Sequence, residues 1–180
     1  MITWHVDDRR PALRTRVYLL GMRLARDKRA FEGEEHTLRT ARQRQESGDR
    51  APTRRTRLTT RVTTERSAGM TVWRVRSRLR RPRSRVVYLH GGGYVHPLTT
   101  DYWRLARALV RSRSEVVLPA YPLAPDATVD DVLPRLIEVA AGDDGLPTVL
   151  MGDSAGGALV LVVARALRDR GGPMPSGVVA

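Results

Sequence analysis

Residues 149–160 read VLMGDSAGGALV: an apolar run, then Gly152, Asp153, Ser154, Ala155 and Gly156, then an alanine-rich segment suited to a helix. In that setting a serine can be held on a sharp strand-to-helix turn, with its hydroxyl presented as a nucleophile. A serine hydroxyl is weakly nucleophilic at neutral pH, so the same chemistry needs a base, usually a histidine oriented by a carboxylate. Residues 90–94, HGGGY, begin where another apolar run ends. Three consecutive glycines place no side chain between a ligand and the main chain. Their N–H groups can face a developing oxyanion together with the N–H of Ala155, the residue after the serine. Taken alone, either motif also admits a plainer reading, in which the glycines form a phosphate-binding turn or a simple loop and Ser154 caps a helix.

The elements that must position these groups are read from periodicity. Leu13, Val17, Leu20 and Leu24 fall at helical spacing between Pro11 and about Ala30, and His36 to Glu46 reads as a second, more polar helix. After the break at Ala51 and Pro52, residues 58–65 and 70–76 have the β-branched content of an antiparallel pair around the turn Ser67, Ala68, Gly69. Strand-like runs then alternate with helical ones: 86–90, a helix over about 101–111, 115–120, a helix over about 129–141, 148–152, and a helix over about 155–169. Continuous apolar strands alternating with helices predict an α/β fold, a mostly parallel sheet flanked by helices. The expected organisation is an N-terminal helical arm or cap, 1–55, and an α/β core, 56–180.

Composition narrows the function classes. The chain has 180 residues, 41% of them hydrophobic, and no cysteine, which excludes disulfides and thiolate chemistry; the four histidines show no metal-ligand spacing. No metal or cofactor is expected, and with no signal-like or membrane-spanning apolar run the expected location is cytoplasmic. The net charge of +13 is unevenly spread. Residues 1–85 carry 24 basic against 9 acidic side chains, whereas residues 86–180 carry 8 against 10. The basic first half has no zinc-finger spacing and few aromatics for base stacking, so no specific nucleic-acid partner is expected.

HGGGY, YPLAPD at 121–126 and GDSAGG at 152–157, in this order and spacing, resemble the hormone-sensitive-lipase-like branch of the α/β-hydrolase fold, which contains many bacterial carboxylesterases. The resemblance covers about residues 56–180, and the preceding arm is similar to that family's N-terminal cap helices. It implies that Ser154 is the nucleophile, that Gly92 and Gly93 with Ala155 supply the oxyanion hole, and that His90, with Gly91, shapes the glycine loop. The implied substrate is a small-molecule ester of short to medium acyl length, and no cofactor is implied. The middle motif more often reads YRLAPE, so Pro122 and Asp126 depart from it.

The triad order in this fold is serine, then acid, then histidine, yet after Ser154 the sequence has one acid, Asp169, and no histidine. His5, His36, His90 and His96 all precede the serine, and a surface or packing role is expected for His96. Asp153 is expected to be a supporting hydrogen-bonding residue rather than the triad acid. The final residues, PSGVVA, read as the start of another buried strand, so the C-terminal strands, the acid and the histidine are expected to be missing and the 180-residue chain to be inactive alone. A second reading is a degenerate, non-catalytic protein whose basic half binds an acidic surface or nucleic acid.

Overall fold

The computed structural model describes residues 12–13, 34–142 and 145–180. The chain divides into two compact units, residues 1–40 and 41–180. Of the first, the described part is residues 12–13 and the opening of helix α1 (Glu34–Glu46). The helix expected between Pro11 and Ala30 therefore falls almost wholly outside the described residues.

The second unit is built on a six-stranded sheet in the order β1-β2-β4-β3-β5-β6. Its strands are β1 (Arg61–Ser67), β2 (Met70–Arg76), β3 (Ser84–Leu89), β4 (Ser114–Ala120), β5 (Thr148–Gly152) and β6 (Gly177–Val179). β4, β3, β5 and β6 run parallel, and β2 joins β4 antiparallel as one arm of the β1–β2 hairpin. Ser67 pairs with Met70, leaving the two-residue turn Ala68 and Gly69, both at positive φ (50° and 74°). That is the turn whose twist suits a hairpin. β1 is charged and largely exposed, which suits a sheet edge.

Helices cover both faces of the sheet, and the strands alternate their side chains accordingly. Val87, Leu89, Val117 and Leu150 pack with Leu136 and Ile137 of α4 (Val129–Ala141) and Leu159 and Val163 of α5 (Ala155–Asp169). Val86, Tyr88, Val116 and Leu118 pack on the other side with Trp103, Ala106 and Val110 of α3 (Thr100–Arg111). Trp103 meets Trp73 edge to face, with 5.3 Å between centroids, and its indole N–H donates to Arg50 O at 2.7 Å. Burial on both faces explains why β3, β4 and β5 read as continuous apolar runs rather than alternating ones.

Two expectations need correction. Residues 58–60 are not strand: a short helix, α2 (Arg54–Thr59), precedes β1. Thr53 Oγ1 accepts from Thr56 N at 3.2 Å and Thr60 Oγ1 donates to Thr56 O at 2.6 Å, so Thr60, which reads as a β-branched strand former, instead helps satisfy the end of a helical turn. The parallel strands are also not uniformly apolar. Arg85 and Glu115, paired in register on β3 and β4, are both buried. Arg85 Nη2 donates to Thr148 Oγ1 (2.8 Å) and to the carbonyls of Ala140 and Gly142, while Glu115 Oε1 accepts from Arg76 Nε at 2.6 Å. Buried charges persist where hydrogen bonds satisfy them in this way.

Candidate active site

β5 ends at Gly152 and α5 starts at Ala155, so Asp153 and Ser154 make the whole turn between them. Ser154 sits at φ 50°, ψ −119°, a conformation strained for any residue with a Cβ. It stands at the helix N-cap position, yet its side chain makes no capping hydrogen bond and the residue is exposed. This removes the capping interpretation of the serine. The flanking glycines are required by contact: a Cβ on Gly152 would lie 2.5 Å from the carbonyl of Gly156, and one on Gly156 would strike the carbonyl oxygens of Leu89 and His90 at the end of β3. The G-x-S-x-G spacing thus lets α5 start against the ends of both β5 and β3.

The glycine loop leaves β3 at His90. Gly92 and Gly93 take φ 123° and 61°, and Val95 and His96 both donate their N–H to Gly92 O, at 3.2 and 3.0 Å. Among the described residues no backbone carbonyl accepts from the N–H of Gly92, Gly93 or Ala155. The loop and the serine turn are tied together by Asp153. Its Oδ1 accepts from Gly91 N (3.0 Å) and Tyr88 OH (2.9 Å), and its Oδ2 accepts from Tyr102 OH (3.1 Å), which itself accepts from Gly91 N at 2.9 Å. Burial first, then Asp153, pushes the Tyr102 phenol up to about 12 and raises Tyr88 as well, so both remain donors at neutral pH. Replacing Asp153 with alanine would leave the phenols of Tyr88 and Tyr102 without their acceptor and Gly91 N–H with Tyr102 OH alone. A stability loss of about 3 kcal/mol is expected, read by denaturant unfolding, and an unchanged midpoint would discount this linkage.

His90 lies beneath the loop, 1% exposed. Its Nδ1 is 2.8 Å from Gly91 O, which can only accept, so Nδ1 carries the proton. The ring stacks on Tyr121 with 4.4 Å between centroids, and Tyr121 OH donates to His90 O. Burial lowers the His90 pKa. The unfolded chain therefore binds a proton near pH 6.5, where the folded one does not, and stability is expected to fall as pH drops below about 6.5. His90→Gln, which keeps a donor for Gly91 O and does not titrate, should flatten that slope in unfolding titrations; an equal slope in both proteins would exclude His90 as its source. His96 is buried rather than at the surface, packed behind Gly92, and its pKa is lowered by burial and then by Arg44.

All seven residues singled out from sequence, His90, Gly91, Gly92, Gly93, Asp153, Ser154 and Ala155, lie in the two segments that follow the ends of β3 and β5, six of them in the turns and Ala155 as the first residue of α5. Sequence reasoning missed the tyrosines. Tyr88 lies on β3 two positions before the glycine motif, a placement that could have flagged it. It also missed Gln45, whose Nε2 donates to Val95 O (2.7 Å) and Ala124 O (2.8 Å), while Ala124 N donates to Tyr94 O at 2.9 Å. Asp169 lies at the far end of α5, exposed and held by Arg165 and Arg168, far along the helix from Ser154. Beside the site is an apolar cavity of about 440 Å³ bounded by Tyr94, Tyr121, Pro125, Val129, Leu159 and Val162.

Residues 86–180 match the family model described as alpha/beta hydrolase fold. LipR of Mycobacterium tuberculosis, which carries the name of an acetyl-hydrolase, is 39% identical over 115 residues, 61% of this chain and 37% of LipR. A protein named triacylglycerol lipase from the same organism is 32% identical over 100 residues, covering 52% of this chain and 23% of the lipase. The chain therefore spans well under half the length of these curated relatives. The crystal structure of an esterase from the bacterial hormone-sensitive lipase family superposes with a TM-score of 0.68 at 24% identity, over 94% of this chain and 58% of that one, a likeness of fold. With more than half of its residues matching that model on a mostly parallel sheet flanked by helices, this chain belongs to the α/β-hydrolase fold family.

Proposed function

We propose that the protein is the N-terminal part of a carboxylic-ester hydrolase of the hormone-sensitive-lipase-like branch, acting through an acyl-serine intermediate. The observation that carries this reading is the exposed, uncapped hydroxyl of Ser154 on its strained turn. Ser154 Oγ attacks the acyl carbon while a base takes its proton, and the carbonyl oxygen becomes an oxyanion held by the N–H groups of Gly92, Gly93 and Ala155. The C–O bond to the alcohol breaks, the alcohol leaves with that proton, and water repeats the sequence on the acyl-serine. His90 supports the loop and Asp153 ties it to the serine.

The base is a histidine, oriented by an acid, which the order of the triad assigns to sequence after Ser154. Residues 155–180 contain no histidine, so this reading draws it from beyond residue 180 and expects residues 1–180 alone to be nearly inactive. In it, residues 1–55 serve as the cap and 56–180 as part of the core. The apolar cavity beside the site supports an acyl group as occupant, and the acetyl-hydrolase and lipase names of the relatives are consistent with esters as the substrate class. The test is to incubate the full-length protein with a short-chain aryl ester, quench it, and locate the acyl group by peptide mass spectrometry. Acyl on the peptide containing Ser154 is expected; turnover with acyl elsewhere, or with none, would overturn the mechanism.

A further inference from the structure

Elsewhere among the described residues arginines pair with acids, as in Arg74 and Arg76 with Glu115 or Arg165 and Arg168 with Asp169. One region departs from this. Arg55 of α2, Arg80 of the loop entering β3, and Arg104, Arg107 and Arg111 of α3 line a groove of about 660 Å³ that includes no acidic and no aromatic residue. The three on α3 are spaced by three and four positions and so share one helix face. Burial, then the charges of Arg55, Arg104 and Arg111, push the Arg107 guanidinium down from its ordinary value, which places these cations close enough to repel. At the rim, Leu79 is 94% exposed. Its presentation is fixed: Ser77 Oγ accepts from the N–H of Leu79 (3.2 Å) and Arg80 (3.1 Å), and Arg78 Nη2 donates to Arg57 O at 2.7 Å.

We propose that this groove and its leucine form a docking surface for an anionic lipid bilayer. Five like charges with no acidic partner among the described residues match a surface of negative headgroups, and an apolar side chain carried among them on a hydrogen-bonded turn suits insertion below those headgroups. A nucleic acid would satisfy the charges but has no use for a solvent-facing leucine, and the groove offers no ring on which a base could stack. The loop carrying Leu79 enters the start of β3, whereas Ser154 follows the end of the parallel strand β5. A bilayer held there would leave the serine turn facing away from the membrane, so the surface is a tether rather than a gateway for lipid substrate.

The experiment is co-sedimentation of the full-length protein with vesicles of phosphatidylcholine alone or with about a third phosphatidylserine. Binding only to the anionic vesicles, weakening as salt rises, is expected. Arg107→Gln with Arg111→Gln should weaken it roughly thirtyfold, Arg107→Lys with Arg111→Lys should retain it, and Leu79→Ser should weaken it several-fold without changing the salt dependence. Arg165→Gln with Arg168→Gln removes the same charge elsewhere and should have little effect; a loss equal to that of the groove variant would reduce the effect to net charge and overturn the proposal. It would equally be overturned by absent vesicle binding with tight binding to duplex DNA or single-stranded RNA that Leu79→Ser leaves intact.

Discussion

Ser154→Ala should lower the kcat of the full-length protein for a short-chain aryl ester by about a millionfold, the scale on which serine hydrolases lose turnover with their nucleophile. Residual hydrolysis should persist, because the N–H groups of Gly92, Gly93 and Ala155, the proposed oxyanion donors, stay in place. The same position yields an opposite effect on stability. Ser154 holds φ at 50°, where a Cβ is strained, so Ser154→Gly, which removes nucleophile and Cβ together, should raise stability by about 1–2 kcal/mol. Turnover and thermal unfolding of the two variants provide the check. A Ser154→Ala protein with undiminished kcat would remove the serine from the mechanism, and a Ser154→Gly protein no more stable than its parent would deny that the turn stores strain.

Gly156→Ala is expected to be the most damaging single-methyl change where α5 meets the sheet. The new Cβ would collide with the carbonyl oxygens of Leu89 and His90, which are backbone atoms of β3 and its exit and cannot swing aside as a side chain can. Relief requires α5 to move off the sheet, opening contacts of Leu159, Val160 and Val163, all buried. A loss of about 3 kcal/mol or more is expected, toward the upper end for overpacked cores. Gly171→Ala is the comparison: nothing lies within 4 Å of its added Cβ, so only its φ of 63° is strained, and about 1 kcal/mol is expected. Denaturant midpoints for the pair measure the difference, and similar losses would show that α5 accommodates the methyl.

Much of this arrangement was legible in the sequence because its signals are local. β2, β5, α4 and α5 follow the expected boundaries, since each is a periodic run closed by a turn residue or a capping threonine. The hairpin turn at Ala68 and Gly69 was legible for the same reason. What was not legible depends on partners distant in sequence. Nothing near Arg85 announces that its guanidinium ends against Ala140, Gly142 and Thr148. His96 reads as a loop histidine until the loop folds over it. The motif residues were found because glycine and serine at fixed spacing are rare combinations, whereas Tyr88 and Tyr102, 65 and 51 positions from Asp153, acquire their roles only when β3, α3 and β5 are assembled.

The carboxamide of Gln45 reaches two loops at once, spending one N–H on Val95 O and the other on Ala124 O, while Ala124 returns a bond to Tyr94. The segment after the glycines and the segment around Pro125, two walls of the apolar cavity, are thereby linked into one frame. Substitutions on the two walls should consequently not behave as independent variables in any effort to reshape the cavity. A change near Tyr94 will alter what is tolerated near Val129, and the best pairs will be missed by combining the best singles. Libraries that vary both walls together, with Gln45 held fixed, are the route such a frame favours; releasing Gln45 would widen the range of accepted shapes at the expense of selectivity among them.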